Sequence, residues 1–407
     1  MTGVAGRQRR ALLGAVGCLV VGTAAWGLPA SERPPAPSES PGRVVLAAAP
    51  GAPERPRAEP DAEPATEPAA EPAAEPPRRV SITMGGDLLW HDTVWQSAAA
   101  DHDRTGRGRG GFDFDPMFAA LRGLVRGADL AICHEEVPFA EPGGPYSGYP
   151  VFAAPPEIAR WLGDFGWDAC TTASNHAVDQ GFEGLRRTAS LLERAGVRHA
   201  GTFRTAAERR RPVILEANGV RVAIVAGTYG LNGFPLPEGR PWSVSMLDAD
   251  DLLAQARRAR EAGADVVLVA LHWGWEYTTL PNPEQVALAR RLTRSPAVDL
   301  VYGEHAHVVQ PITKVNGKWV AYGLGNMIAQ QETARPYTYE GISVRFTFRE
   351  RPRGRFEVTD AAYVPTSWNV YGGGQPIRIT RDVPADRLQR IREAVHALGG
   401  TRGLEER

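Results

Sequence analysis

From Val80 onward, short apolar runs alternate with amphipathic windows of helical period. Compact apolar runs bounded by turn formers read as buried strands. The pattern predicts them at Val80–Met84, Leu130–Cys133, Ala169–Ala173, Val220–Ala226, Val266–Leu271 and Val298–Tyr302. Between them, apolar residues recurring every three or four positions predict helices over Asp115–Arg126, Pro156–Phe165, Phe182–Ala195, Asp250–Ala262 and Pro283–Thr293. Asn218-Gly219 and Asn316-Gly317 each stand between β-rich runs, and the tolerance of both residues for left-handed backbone predicts tight hairpins. After Val308 the pattern becomes mostly strands, at Val308–Val315, Lys318–Tyr322, Ile342–Arg349 and Arg355–Val364, before a last helix at Pro384–Leu398. With βα units first and antiparallel strands later, the expectation is an α/β (α+β) protein whose sheets pack together with helices outside.

The first fifth of the chain follows other rules. Arg7, Arg9 and Arg10 precede a charge-free run from Ala11 to Leu28, the layout of a signal peptide or an uncleaved signal anchor. Pro29–Arg79 is rich in Pro, Ala and Glu, and proline at that density forbids helix and sheet. An extended, disordered spacer is expected there. The domains read as 1–28 signal segment, 29–79 linker, 80–382 folded domain and 383–407 C-terminal helix and tail. The expected location is outside the membrane, either anchored through an uncleaved first segment or secreted.

Composition narrows the classes. Hydrophobic residues at 43% and charged residues at 23% are those of an ordinary globular protein. Lys+Arg 46 against Asp+Glu 47 excludes a basic nucleic-acid binder, so no nucleic-acid partner is expected. Three cysteines are too few for a disulfide framework. Cys133 and Cys170 fall in neighbouring predicted strands, where buried thiols are favoured over a disulfide.

Candidate chemistry gathers just after the predicted strands, where open α/β sheets place their sites. These segments are Gly85-Gly86-Asp87, His134-Glu135-Glu136, Ser174-Asn175-His176, His272-Trp273-Gly274-Trp275-Glu276, Gly303-Glu304-His305-Ala306-His307 and Gly325-Asn326. Singly each has a plain explanation: a cap, a solvated turn at Glu135-Glu136, or a hydrogen-bonded histidine. His305-x-His307 is harder to dismiss, since alternate residues share a side in extended chain. Together they match what a two-metal site needs: hard oxygen ligands, imidazoles and one carboxylate able to bridge. There are no CxxC pairs, no Gly-x-Ser-x-Gly and no Walker A loop. The alternating Trp273, Trp275 and Tyr277 fit either stacking on a sugar or flat substrate or core packing.

Gly86-Asp87, Cys133-His-Glu-Glu-Val-Pro138, Ser174-Asn-His-Ala-x-Asp-x-Gly181, Gly303-x-His-x-His307, Leu324-Gly-Asn326 and Tyr363-Val-Pro-Thr366 resemble the CapA family of poly-γ-glutamate capsule synthesis proteins. That resemblance implies a four-layer αββα sandwich like that of calcineurin-type metallophosphoesterases. It also implies two divalent ions (Mn, Fe or Zn). Asp87 would bind the first and Glu136 would bridge both. Asn175, His272 and His305 would hold the second, and His307 would return to the first. His176 would be the catalytic imidazole, with Asp179 orienting it. His91, His134 and Asn326 would stand in support. Departures from the phosphoesterase pattern are Leu89 where histidine is expected, Glu136 in place of the bridging Asp, and Ala177 after the catalytic histidine. His134 stands where relatives commonly have Asn. The implied role is synthesis, release or anchoring of an anionic surface polymer, with membrane synthase subunits as partners. A general secreted phosphoesterase acting on phosphoesters and a non-catalytic synthase subunit are the alternatives.

Overall fold

The computed structural model describes residues 76–407, so the 1–28 segment and all but the end of the 29–79 linker lie outside the described residues. Arg79 already opens a strand, and Arg78 is tied to Asp265 and Glu350, so the folded part begins slightly before Val80. No helix among the described residues is long and apolar enough to cross a membrane.

The chain builds one sheet, leaves it for a second, and returns. Strands β1 (Arg79–Leu88), β2 (Leu130–Glu135), β3 (Ala169–Thr171) and β4 (Arg198–Ala200) run parallel in that order. The second sheet has six strands: β5 (Val213–Ala217), β6 (Val220–Thr228), β7 (Val266–His272), β8 (Leu300–Glu304), β9 (Ile312–Val315) and β10 (Lys318–Ala321). The chain then re-enters the first sheet with β11 (Asn326–Ile328), parallel to β1. The long hairpin β12 (Glu340–Arg351) and β13 (Arg355–Trp368) follows, then β14 (Ile379–Thr380) and β15 (Leu404–Glu406) on β13.

Period-two alternation sorts the side chains into layers. Val80, Ile82 and Met84 of β1 share one core with Val222 and Ile224 of β6 and Val266 and Leu268 of β7, so the two sheets meet face to face. On the other face of β2, Ala131 and Cys133 pack under helices. These are α1 (Asp92–Thr105), α2 (Asp115–Phe118), α3 (Arg122–Arg126), α4 (Glu157–Phe165) and α5 (Gly181–Arg194). After the short α6 (Ala206–Arg210), α7 (Ala249–Glu261) and α8 (Pro283–Arg294) cover Val267, Val269 and Leu271 on the outer face of the second sheet. The last helix, α9 (Ala385–His396), turns Ile391 and Val395 toward the core between the sheets. The expected four layers are present.

The expected hairpins form at Asn218-Gly219 and Asn316-Gly317, all four residues having positive φ. Several expectations need correction. The helix expected over Asp115–Arg126 is broken by a 3₁₀ turn at Ala119–Leu121, which still keeps Met117, Phe118, Leu121, Leu124 and Val125 buried. Helix α1 escapes the apolar pattern because its inward face carries Ser97 and the buried Asp101, which is satisfied by Arg104 and Arg378. The strands expected at Val298–Tyr302 and Val308–Val315 are β8 and β9, displaced because residues 305–308 form a loop. The C-terminal tail is partly strand, since β15 hydrogen-bonds to β13. Cys133 and Cys170 are not free thiols. They are direct cross-strand partners with Cα atoms 4.4 Å apart, and their sulfurs are joined.

Candidate metal centre

Parallel strands of both sheets end at one edge, and the loops leaving them meet there. Asp87 is the second-last residue of β1, His134 and Glu135 close β2, and Glu136 follows. His272 closes β7, and Glu304 closes β8 just before His305 and His307. Two close approaches make the edge possible. A Cβ on Gly86 would lie 1.9 Å from the carbonyl oxygen of Gly325, and one on Gly303 would lie 2.1 Å from Nε1 of Trp273. Only glycine lets these strands pass at that spacing.

Asp87 is buried, and its carboxylate accepts from the His305 backbone N–H at 3.3 Å and faces His307 Nδ1 at 3.1 Å. His307 Nδ1 also donates to Asn326 Oδ1 at 2.9 Å. With its proton held on Nδ1, the ring turns Nε2 toward Glu136 Oε1, 3.9 Å away. His272 Nε2 lies 2.9 Å from Asn175 Oδ1 and 3.9 Å from the same Glu136 oxygen. Its Nδ1 meets His134 Nε2 at 3.0 Å, and His134 Nδ1 meets Thr171 Oγ1 at 2.8 Å. Thr171 in turn donates to the Cys133 carbonyl. This chain runs one way if His272 is to present a lone pair at Nε2. His272 then donates from Nδ1, and His134 accepts at Nε2 and donates from Nδ1.

His305 and His307 do not sit on extended chain, as their alternation suggested. Both have left-handed backbone, φ 88° and 57°, so the loop doubles back and brings the His305 N–H and the His307 ring onto Asp87, while the His305 ring packs against Tyr229 and His272. Non-glycine residues held in that region cost energy that the surrounding contacts must offset, and such residues collect at functional sites. Nor is Glu135-Glu136 a solvated turn, for both residues are buried. Glu135 accepts from Trp90 Nε1 at 2.9 Å.

Electrostatics follow from this packing. Burial and neighbouring imidazoles lower His305 to about 3. Burial lowers His134 to about 4 and holds His272 well below its ordinary value. These rings are therefore neutral, the form that can donate a lone pair to a metal. Burial opposes charge on His307, yet Glu136 and Asp87 push it up to about 10. Burial, then the Asp87 charge, raises the Glu136 carboxyl well above the usual range. Burial also opposes the charge on Asp87, but His307, His134 and the His305 N–H hold it below the usual range.

A cation fits what these residues lack. Both Glu136 oxygens, His305 Nδ1 and Glu304 Oε1 are buried without a hydrogen-bond partner. Asp87, Glu136 and His307 bring ligand atoms within 4.8 Å of one another, as do Asp87, His134 and His272, and Glu276, His305 and His307. An unpaired buried carboxylate costs several kcal/mol, which a divalent ion among these atoms would offset.

Beside the cluster, His176 Nδ1 donates to Asp179 Oδ2 at 2.7 Å, and its ring packs edge-on against Phe152. His91 stands apart: Phe152 covers its ring and its Nδ1 accepts from the Gln330 N–H. Burial lowers it to about 4. Four residues were given no role from sequence, although Glu276 and Glu304 lie in segments named above. Glu276 carries a carboxylate to the open side of the centre. Tyr229 lies over His305 with ring centroids 4.4 Å apart. Asn232 bonds Asn175, and Glu304 sits 3.9 Å from His134. Glu276 could have been found from its place after His272. Tyr229 and Asn232 follow a strand whose end carries no ligand-type residue, so nothing flagged them. Of the aromatic trio, Trp273 is core and donates to the Tyr322 carbonyl, Trp275 is exposed, and Tyr277 lies beneath Arg335.

The family described as "Bacterial capsule synthesis protein PGA_cap" matches residues 81–331. The PGA biosynthesis protein CapA of Bacillus subtilis is 30% identical over 205 residues, 50% of this chain and 53% of that protein. A probable polyglutamine synthesis accessory protein of Mycobacterium tuberculosis is 32% identical over 237 residues, 54% of this chain and 57% of that protein. The chain thus spans about half the length of the curated relatives it matches. Among solved structures, the calcineurin-like phosphoesterase YfkN of Bacillus subtilis aligns with a TM-score of 0.42 at 14% identity, covering 78% of this chain and 98% of that one.

Proposed function

The chain belongs to the bacterial capsule synthesis family, and from that premise we propose that it acts outside the membrane on an anionic surface polymer of poly-γ-glutamate type. Its part is synthesis, release or anchoring, by hydrolysis or transfer at a dinuclear centre, beside membrane synthase subunits. The observation that carries this is Glu136, whose two buried oxygens have no partner while His272 at the end of β7 and His307 in the loop after β8 face its Oε1. Asp87, Glu136 and His307 would hold one divalent ion, and Glu136, Asn175, His272 and His305 the other. Bound there, such ions supply Lewis-acid polarisation of a phosphoryl or carbonyl oxygen.

The chain's own groups do the rest. Asp179 accepts the Nδ1 proton of His176, which fixes the ring and leaves Nε2 to move a proton to or from a leaving group. That oriented pair favours catalysis over a purely binding subunit, because a scaffold needs no aligned acid. The Cys133–Cys170 bridge supports an oxidising, extracytoplasmic setting.

Elemental analysis of the purified chain, reconstituted with manganese, iron or zinc, tests the centre; a metal-free protein after reconstitution would end this reading. A panel of γ-glutamyl polymers and simple phosphate esters then separates polymer chemistry from a general phosphoesterase. Protease added to intact, wall-stripped cells tests location, with cleavage within 29–79 expected and protection counting against it.

A further inference from the structure

A groove of about 660 Å³ opens between α7, α8 and the loop after β7. Its size is ordinary for a small-ligand site. Trp273 and the capping pair Asn282–Gln285 lie along it, with Trp273 Nε1, Asn282 Oδ1 and the Gln285 amide already bonded within the protein. Two aromatic faces remain open: Trp275 is 60% exposed and Tyr229 46%. Tyr229 belongs both to this groove and to the metal centre, where it covers His305. A ligand lying on these rings would therefore reach the reacting edge.

The charged lining decides the chemistry. Asp248 and Glu284 put carboxylates on the groove, and the cation among its described lining residues, Arg291, is already paired with Asp250. A polymer of carboxylates would meet like charge here. A sugar ring would not. Its C–H face stacks on an indole, and its hydroxyls donate to carboxylates.

We propose that the Trp275–Tyr229 groove binds an uncharged, hydroxyl-rich saccharide, the glycan part of what the site acts on. As a statement about substrate this rests on the reading above, but the binding itself does not require it.

The test uses the full chain, with and without reconstituted metal, and two probes: a soluble N-acetylglucosamine tetramer and a γ-linked glutamate hexamer. The Trp275 indole N–H signal, assigned by its loss in Trp275→Phe, is followed by NMR, and affinity is measured by calorimetry. The tetramer should bind and shift that signal in both preparations. Trp275→Ala should weaken it about tenfold, the equivalent of about 1.4 kcal/mol, with partial recovery in Trp275→Phe. Glu284→Gln should also weaken the tetramer. A glutamate hexamer that binds with the same dependence on Trp275 would overturn the proposal. So would the absence of any shift at about 10 mM tetramer, well above a weak millimolar Kd. Binding that persists in a protein unable to take up metal would leave this groove standing and remove the catalytic reading.

Discussion

Two clusters of histidine and carboxylate among the described residues look alike by composition alone. One is the centre at the strand ends, with Asp87, Glu136, Glu276 and four imidazoles. The other gathers Glu193, His199 and Glu208 beside β4 and α6. They differ in what already answers the negative charge. In the second, Arg204 bridges Glu193 at 2.6 Å and Glu208 at 2.5 Å, and Glu208 sits 3.5 Å from His199. In the first, Glu136 has no donor at all. A metal has a vacancy to fill only where the protein has left its carboxylate unanswered. Ligand-type residues are common, whereas buried unsatisfied ones are rare.

The largest effect should come from removing that unanswered charge. Glu136→Gln keeps the shape but loses the shared carboxylate, so metal content should fall from about two ions per chain to fewer than one, and turnover should vanish with it. Glu208→Gln should leave metal content unchanged. Elemental analysis of both variants checks this, and equal loss in the two would show that satisfaction does not distinguish the clusters.

Next in size is His176→Ala, which should retain metal and fold. Turnover on a substrate with a poor leaving group should drop roughly 10²–10⁴-fold, the usual worth of a general acid or base. A good leaving group needs little protonation and should be affected far less, so the pair of substrates is an internal control. If loss is equal on both, His176 is not the proton donor.

His134 should matter less and in a different way. As acceptor of the His272 Nδ1 proton it sets which nitrogen His272 presents. His134→Phe should weaken metal affinity about 10–100-fold, the usual effect of losing a group that orients a ligand. His134→Gln, which keeps an amide acceptor, should recover part of it. Chelator competition measures both, and unchanged affinity in His134→Phe would remove the role.

Much of the architecture was legible because it rests on local rules. Compact apolar runs gave the strands β1, β2, β6 and β7 of the facing sheets, and Asn-Gly pairs gave both hairpins. Asp87, Glu136, His272, His305 and His307 could be read as one site because each follows a strand, and parallel strands end at one edge. What escaped was non-local. The left-handed turns at His305 and His307 come from a loop pulled over Asp87 by a residue more than two hundred positions away. Tyr229 and Asn232 enter from a strand end with no polar signature. Arg204, which quiets the second cluster, is one arginine among many until the fold places it between two carboxylates.

Arg204→Met probes that second cluster and should give the smallest effect. The three groups are partly exposed, so the ion pairs contribute about 1 kcal/mol or less, seen as a modest fall in Tm at pH 7. The pH dependence makes the loss specific. Burial raises the Glu208 carboxyl, but Arg204 outweighs it and holds the group below its ordinary value. A carboxylate depressed in the fold adds stability above its unfolded value of about 4.3, and that stability is lost as pH falls through the folded value. The Tm gap between wild type and Arg204→Met should therefore be full at pH 7 and close as the pH drops below about 4. His199, lowered first by burial and in smaller part by Arg204, also loses stability on acidification, and only the burial part is common to both proteins and cancels in the difference. With Arg204 gone, Glu193, His199 and Glu208 are left as an unanswered cluster, so the variant should gain weak zinc binding that wild type lacks. A gap that stays constant from pH 7 to pH 3, with no zinc taken up, would mean that Arg204 supports the fold by packing and that charge satisfaction is not what separates the two clusters.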